Sequence, residues 1–144
     1  MIVLDTTVLV YAKGADHPFR GPCRKLVSLI AAGEIEATTS VEAIQEFVHV
    51  RAKRRSRQDA AEIGRDYADL LSPLLDVTRD DLRKGLALFE RGEKLGGFDA
   101  VLAAAAIARG TDALVSADMG FAAVDGLTHA VPDKVGVESL LATG

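Results

Sequence analysis

The residues of this chain that could carry chemistry as a set are acids: Asp5, Asp99, Asp118, and Glu46 with its same-face neighbour Glu42. Each has an ordinary explanation when taken alone. Asp5, followed by Thr6 and Thr7, can cap a helix. Asp99 suits the positive end of one, Asp118 sits in the turn Ser-Ala-Asp-Met-Gly, and most glutamates on helices are simply solvated. As a converging set the acids mean something else. Carboxylates brought together repel, and cations or protons must compensate them. Magnesium or manganese is the natural compensation, because hard divalent ions take oxygen ligands. A phosphodiester held at such a site can be hydrolysed in line by water that the ion activates. The alternatives are poor: no Ser-His-Asp set or cysteine nucleophile is visible, His17, His49 and His129 lack metal-ligand spacing, and the lone Cys23 reads as a small packing residue.

Convergence requires elements that deliver these acids to one place. Ile2-Val3-Leu4 and Ala113-Leu114-Val115 are short apolar runs suited to strands buried on both faces, as in parallel sheets. Further strands are expected at 35–38, 74–78 and 129–131. Helices are expected over 18–32, stopped by Gly33, then from Thr39-Ser40 to about Arg51, over 58–71, from Asp80 to about Lys94, over 98–109, stopped by Gly110, and over 137–141. The stretch 121–124 is ambiguous. In the second helix Val41, Ile44, Phe47 and Val48 have the spacing of a buried face, while Glu42, Glu46, His49 and Lys53 fall on another. Four consecutive alanines at 103–106 allow close packing. Strands alternating with helices imply an α/β fold, a three-layer α/β/α sandwich with a mainly parallel central sheet. Strand ends and helix starts then share one edge, where ligands of such sheets collect. Propensity alone would run a strand from Ile2 to Val10. The pattern of acids argues instead that it ends near Asp5 and that Thr6-Thr7 turns the chain into a short helix.

Bulk properties agree with one domain over residues 1–144, of which 49% are apolar and 26% charged. No run is long enough for a membrane span and no secretory signal opens the chain, so a cytoplasmic location is expected. Twenty-one acids against seventeen Lys and Arg leave a net charge of −4, which argues against a general nucleic-acid binder.

Four segments together resemble the PIN-domain ribonucleases, and specifically the VapC-type toxins of bacterial and archaeal toxin–antitoxin pairs. LDTTVLVYA resembles the opening strand and first acid of that family, and SVEAIQEFVHV the helix bearing its glutamate. GFDAVLAAAAIARG resembles the helix that begins with the third acid, and ALVSADMGF the strand and turn of the fourth. The resemblance places the catalytic, metal-binding acids at Asp5, Glu46, Asp99 and Asp118, choosing Glu46 over Glu42. It sets Thr6, Thr7 and Ser116 beside them. Thr7 departs from the asparagine common in the family, and its hydroxyl can still hydrogen-bond there. The resemblance further implies a Mg²⁺- or Mn²⁺-dependent endoribonuclease, a homodimer, and a cognate VapB-type antitoxin.

The basic run Arg51, Lys53, Arg54, Arg55 and Arg57 is either a solvated helix end or a set of contacts to RNA phosphates. Few aromatic residues are available for base stacking, so recognition by backbone, shape and hydrogen bonds is expected. Two other functions are weighed. An aspartyl-phosphate phosphatase or phosphotransferase would use Asp5 as nucleophile, but enzymes of the haloacid dehalogenase type usually carry a second aspartate where Thr7 stands. A binding module without catalysis is disfavoured by the presence of all four acids.

Overall fold

A computed structural model of the chain describes residues 1–92 and 94–142. Its centre is a sheet of four parallel strands in the order β2-β1-β3-β4, with β1 at Ile2–Leu4, β2 at Ala37–Thr38, β3 at Ala113–Val115 and β4 at His129–Ala130. Seven α-helices surround it among the described residues: α1 (Thr6–Lys13), α2 (Arg20–Ala31), α3 (Val41–Arg54), α4 (Arg57–Leu70), α5 (Arg79–Arg91), α6 (Gly97–Ala108) and α7 (Lys134–Ala142).

Alternation along the two central strands builds the layers. Ile2, Leu4, Ala113 and Val115 face one core, shared with Val8, Leu9, Leu26, Phe47 and Val137. Val3 and Leu114 face the other, shared with Leu102, Ala103, Ala106 and Phe121. The register pairs Ile2 with Ala113, Val3 with Leu114 and Leu4 with Val115, so neighbouring strands send equivalent residues to the same side. Both central strands are buried throughout, which is why they read as unbroken apolar runs. This is the expected α/β/α sandwich.

Small residues set the spacing on the α6 side. Ala103 to Ala106 are all buried, and α5 lies so close to α6 that a Cβ at Gly85 would come within 2.6 Å of the Val101 Cα. Buried Cys23 packs in the opposite core, where burial pushes its thiol up to about 12. Gly33 and Gly110 end α2 and α6 as expected, with φ of 75° and 62°.

Several expectations fail in instructive ways. Residues 74–78 form no strand; Leu75 makes a single bridge to Ser40, because its neighbour β2 is two residues long and gives way at once to the Ser40 cap of α3. Helix α3 continues past Arg51 to Arg54, whereas α5 stops at Arg91, short of Lys94. The ambiguous stretch near 121 is a 3-10 turn over Met119–Ala123. Val41 is exposed, since it begins α3 at the mouth of a groove between α3 and α4.

Candidate active site

Asp5 leaves β1 and caps α1, so its cap role and its place at the sheet edge coincide. The backbone N–H of Thr7 donates to its Oδ2 at 3.4 Å, the Thr7 hydroxyl at 3.0 Å and the Ser116 hydroxyl at 2.7 Å. All three donors converge on one oxygen, and among the described residues none is aimed at Oδ1. Asp5 is 3% exposed and Ser116 fully buried, so the arrangement is held inside the fold. Ser116 also accepts the N–H of Asp118 at 2.9 Å, while Thr7 accepts that of Ala117 at 3.0 Å. Behind the turn, His129 on β4 meets the Ser116 carbonyl through Nε2 at 2.8 Å.

Glu46 comes from α3, whose start is capped by Ser40. The Thr6 hydroxyl lies 3.2 Å from Glu46 Oε2 and 3.3 Å from the Ala43 carbonyl, tying the first turn of α1 to α3. The separation of the two glutamates, open in the sequence, is visible here: Glu46 faces the other acids together with Val50 and Arg54, and Glu42 lies outside that cavity. The broad face drawn through Glu46, His49 and Lys53 divides, because His49 and Lys53 line the groove between α3 and α4 instead.

Asp99 lies in the first turn of α6, whose N-cap Gly96 offers no side chain. Asp118 follows β3, and its Oδ1 accepts the N–H of Gly120 at 2.8 Å, capping the 3-10 turn. Gly120 is required here because a Cβ would approach the Lys94 carbonyl to 2.8 Å. Burial first, and then the charges of Asp5, Asp118 and Glu46, push the Asp99 carboxyl up to about 7, and a hydrogen bond with Asp118 helps hold the proton. The positive end of α6 opposes this shift. Carboxylate repulsion and desolvation win.

Asp5, Glu46, Asp99 and Asp118 thus line one cavity of about 520 Å³, with Thr6 and Thr7 in its wall. Among the described residues no three His, Cys, Asp or Glu side chains stand close enough, as placed, to hold a metal ion between them. An open set of carboxylate oxygens, with an unshared Oδ1 on Asp5, suits a hard ion that retains part of its water, and suits a closed zinc cage poorly. These four acids are the groups available to hold such an ion.

The basic run is dispersed. Arg51 is engaged within the protein, through Asp59 at 2.6 Å and the Lys13 carbonyl at 2.9 Å. Arg54 lines the acid cavity, and also an adjoining pocket that Arg51 and Arg55 share. Lys53 and Arg57 line the separate α3–α4 groove. Tyr11, Asp16 and His17 line the acid cavity as well. Nothing in their spacing announces this, because the loop after α1 brings the last two back over the site.

The family model for the PIN domain matches residues 2–127. Ribonuclease VapC7 of Mycobacterium tuberculosis (strain ATCC 25618 / H37Rv) is 54% identical over 145 residues, covering 98% of each chain. Ribonuclease VapC23 of the same strain is 31% identical over 120 residues, covering 82% of this chain and 93% of that one. The crystal structure of Mycobacterium tuberculosis VapC20, a sarcin-ricin loop cleaving toxin, superposes with a TM-score of 0.70 at 16% identity, over 88% of this chain and 98% of that one. That likeness concerns the fold; the sequence matches carry the kinship, and by them the chain belongs to the PIN-domain family, within its VapC group.

Proposed function

We propose that this chain is a Mg²⁺- or Mn²⁺-dependent endoribonuclease, acting in the cytoplasm as the toxin of a toxin–antitoxin pair. The observation that carries the reading is geometric: Asp5, Glu46, Asp99 and Asp118, from four separate parts of the chain, line one cavity, where burial first and then the other three carboxylates push the Asp99 carboxyl up. A protein that keeps such a cluster without compensation loses stability, so the arrangement makes sense as a cation site. The names of its VapC relatives point to the same reaction.

A bound divalent ion would activate water for attack on phosphorus and offset charge on the leaving oxygen. The chain's own residues do the positioning. Thr7 and Ser116 hold Asp5 through Oδ2 and leave Oδ1 without a donor among the described residues. Thr6 steadies Glu46 from the first turn of α1. Asp99 and Asp118 would hold the ion together with Asp5 and Glu46, and the Asp99 carboxyl would give up its proton to do so. Within the same proposal, residues 1–144 act as one nuclease domain, as a homodimer restrained by a VapB-type antitoxin.

The test is RNA cleavage by the purified protein with magnesium or manganese, against EDTA and against Asp5→Asn. Cleavage should require the ion and should fall at least a hundredfold in the variant. Cleavage unchanged by both would sink the reading.

A further inference from the structure

The sequence offers few aromatic residues for stacking bases, but the fold packs Tyr11, His17 and Phe19 into one cluster, and two of its rings, Tyr11 and His17, line the acid cavity. His17 stacks on Tyr11 with ring centroids 4.4 Å apart and planes 27° from parallel. Phe19 meets Tyr11 edge-on at 5.6 Å and His17 at 5.4 Å. Tyr11 and Phe19 pack against the hydrophobic core, so the platform rests on a rigid base, and His17 is its exposed top layer. The His17 ring is also held in orientation: its Nδ1 accepts the N–H of Phe19 at 3.1 Å.

Tyr11 and His17 line the same cavity as Asp5, Glu46, Asp99 and Asp118. So does Arg54, which among the described residues makes no ion pair and whose second pocket prolongs the cavity toward Arg55. Aromatic stacking with a base takes any sequence, because every base has a π-face, and a nearby cation follows the backbone. We propose that the His17 ring, backed by Tyr11, is a base-stacking subsite for an unpaired nucleotide next to the scissile phosphate, with Arg54 taking a flanking phosphate. This deepens the nuclease reading and rests on it. It selects single-stranded or looped RNA, whose bases can be splayed out, over duplex.

Binding measured in EDTA separates the subsite from cleavage. The probe is a short fluorescein-labelled RNA strand of mixed sequence, compared by anisotropy with an abasic strand of the same length. His17→Ala should weaken binding of the base-bearing strand by about tenfold, within the range for loss of one stacked base. It should leave the abasic strand unaffected. His17→Phe should restore binding, which a role for charge or for loop folding would not. Arg54→Ala should weaken both strands and lower the salt slope by about one unit. Equal behaviour of His17→Ala and the wild type on the intact strand, equal losses on both strands, or no measurable binding by the wild type would each overturn the subsite. RNA bound with this His17 pattern yet uncut in magnesium or manganese supports the subsite and removes the nuclease reading. Metal-dependent cleavage with binding indifferent to His17 removes the subsite alone.

Discussion

The hydroxyls of Thr7 and Ser116, 109 residues apart in the chain, stand 3.3 Å from each other and reach the same atom, Oδ2 of Asp5. Each also accepts a backbone N–H from the turn after β3, Ala117 for Thr7 and Asp118 for Ser116. The pair therefore joins the start of α1 to the turn that carries Asp118. Thr7 is thereby built into this junction.

Ser116→Ala and Thr7→Val should each weaken magnesium or manganese affinity by about tenfold or more, the usual cost of removing a partner that orients a metal-binding group. Thr7→Ser should stay close to the wild type. Because both hydroxyls serve one carboxylate, the double variant should lose less than the two single losses combined. Calorimetric titration with the ion checks this without RNA. Single variants that bind the ion as well as the wild type would show that Asp5 needs neither hydroxyl.

Asp99 should make the metal-free protein more stable in mild acid. With a folded pKa of about 7, against about 3.9 unfolded, the folded state holds the extra proton between those values. Stability therefore falls as pH rises from about 4 to about 7 and levels off above. In EDTA the melting temperature should be higher at pH 6 than at pH 8. Asp99→Asn should raise it at pH 8 and flatten the dependence. Added magnesium should stabilise the wild type more at pH 8 than at pH 6, since ion and proton compete. A melting temperature in EDTA that rises from pH 6 to pH 8 would contradict the crowding of these acids.

Arg109 should be a strong contributor to stability remote from the site. It donates to Asp81 Oδ2 at 2.6 Å and to the Asp76 carbonyl, linking the end of α6 to the start of α5, where Asp81 completes a capping box with Thr78. Burial pushes the Asp81 carboxyl up, but the bonds from Thr78 and Arg109 outweigh it and hold it below the usual carboxylate range. Arg109→Ala leaves a charge that is 2% exposed without its partner, which should cost about 3 kcal/mol. Denaturant unfolding at neutral pH checks it. The contribution should persist above the ordinary aspartate pKa and fade as pH falls through the depressed one. RNA binding per folded molecule should be unchanged.

The sequence by itself determined the layers and the position of three acids along the chain. Ile2–Leu4 and Ala113–Val115 are short unbroken apolar runs of the kind that parallel strands buried on both faces carry, and the helices between them leave a parallel sheet as the way to pair them. Asp5, Asp99 and Asp118 then fall at strand ends and a helix start on one edge. The local signals at Ser40, Gly33 and Gly110 act within a turn or two, which is why they were legible. What the sequence left open depends on directions in space. Whether Glu42 or Glu46 turns to the cavity is settled by how α3 lies against α1. The five bases of one short run part ways because successive helical positions face different grooves, and Arg51 meets Asp59 only once α4 folds back. Tyr11 and His17 become a platform through the loop that returns over the acids. The junction at Asp5 is the clearest case: its helix cap was readable from Asp-Thr-Thr, but its closest donor comes from Ser116, and only the parallel pairing of β1 with β3 brings them together.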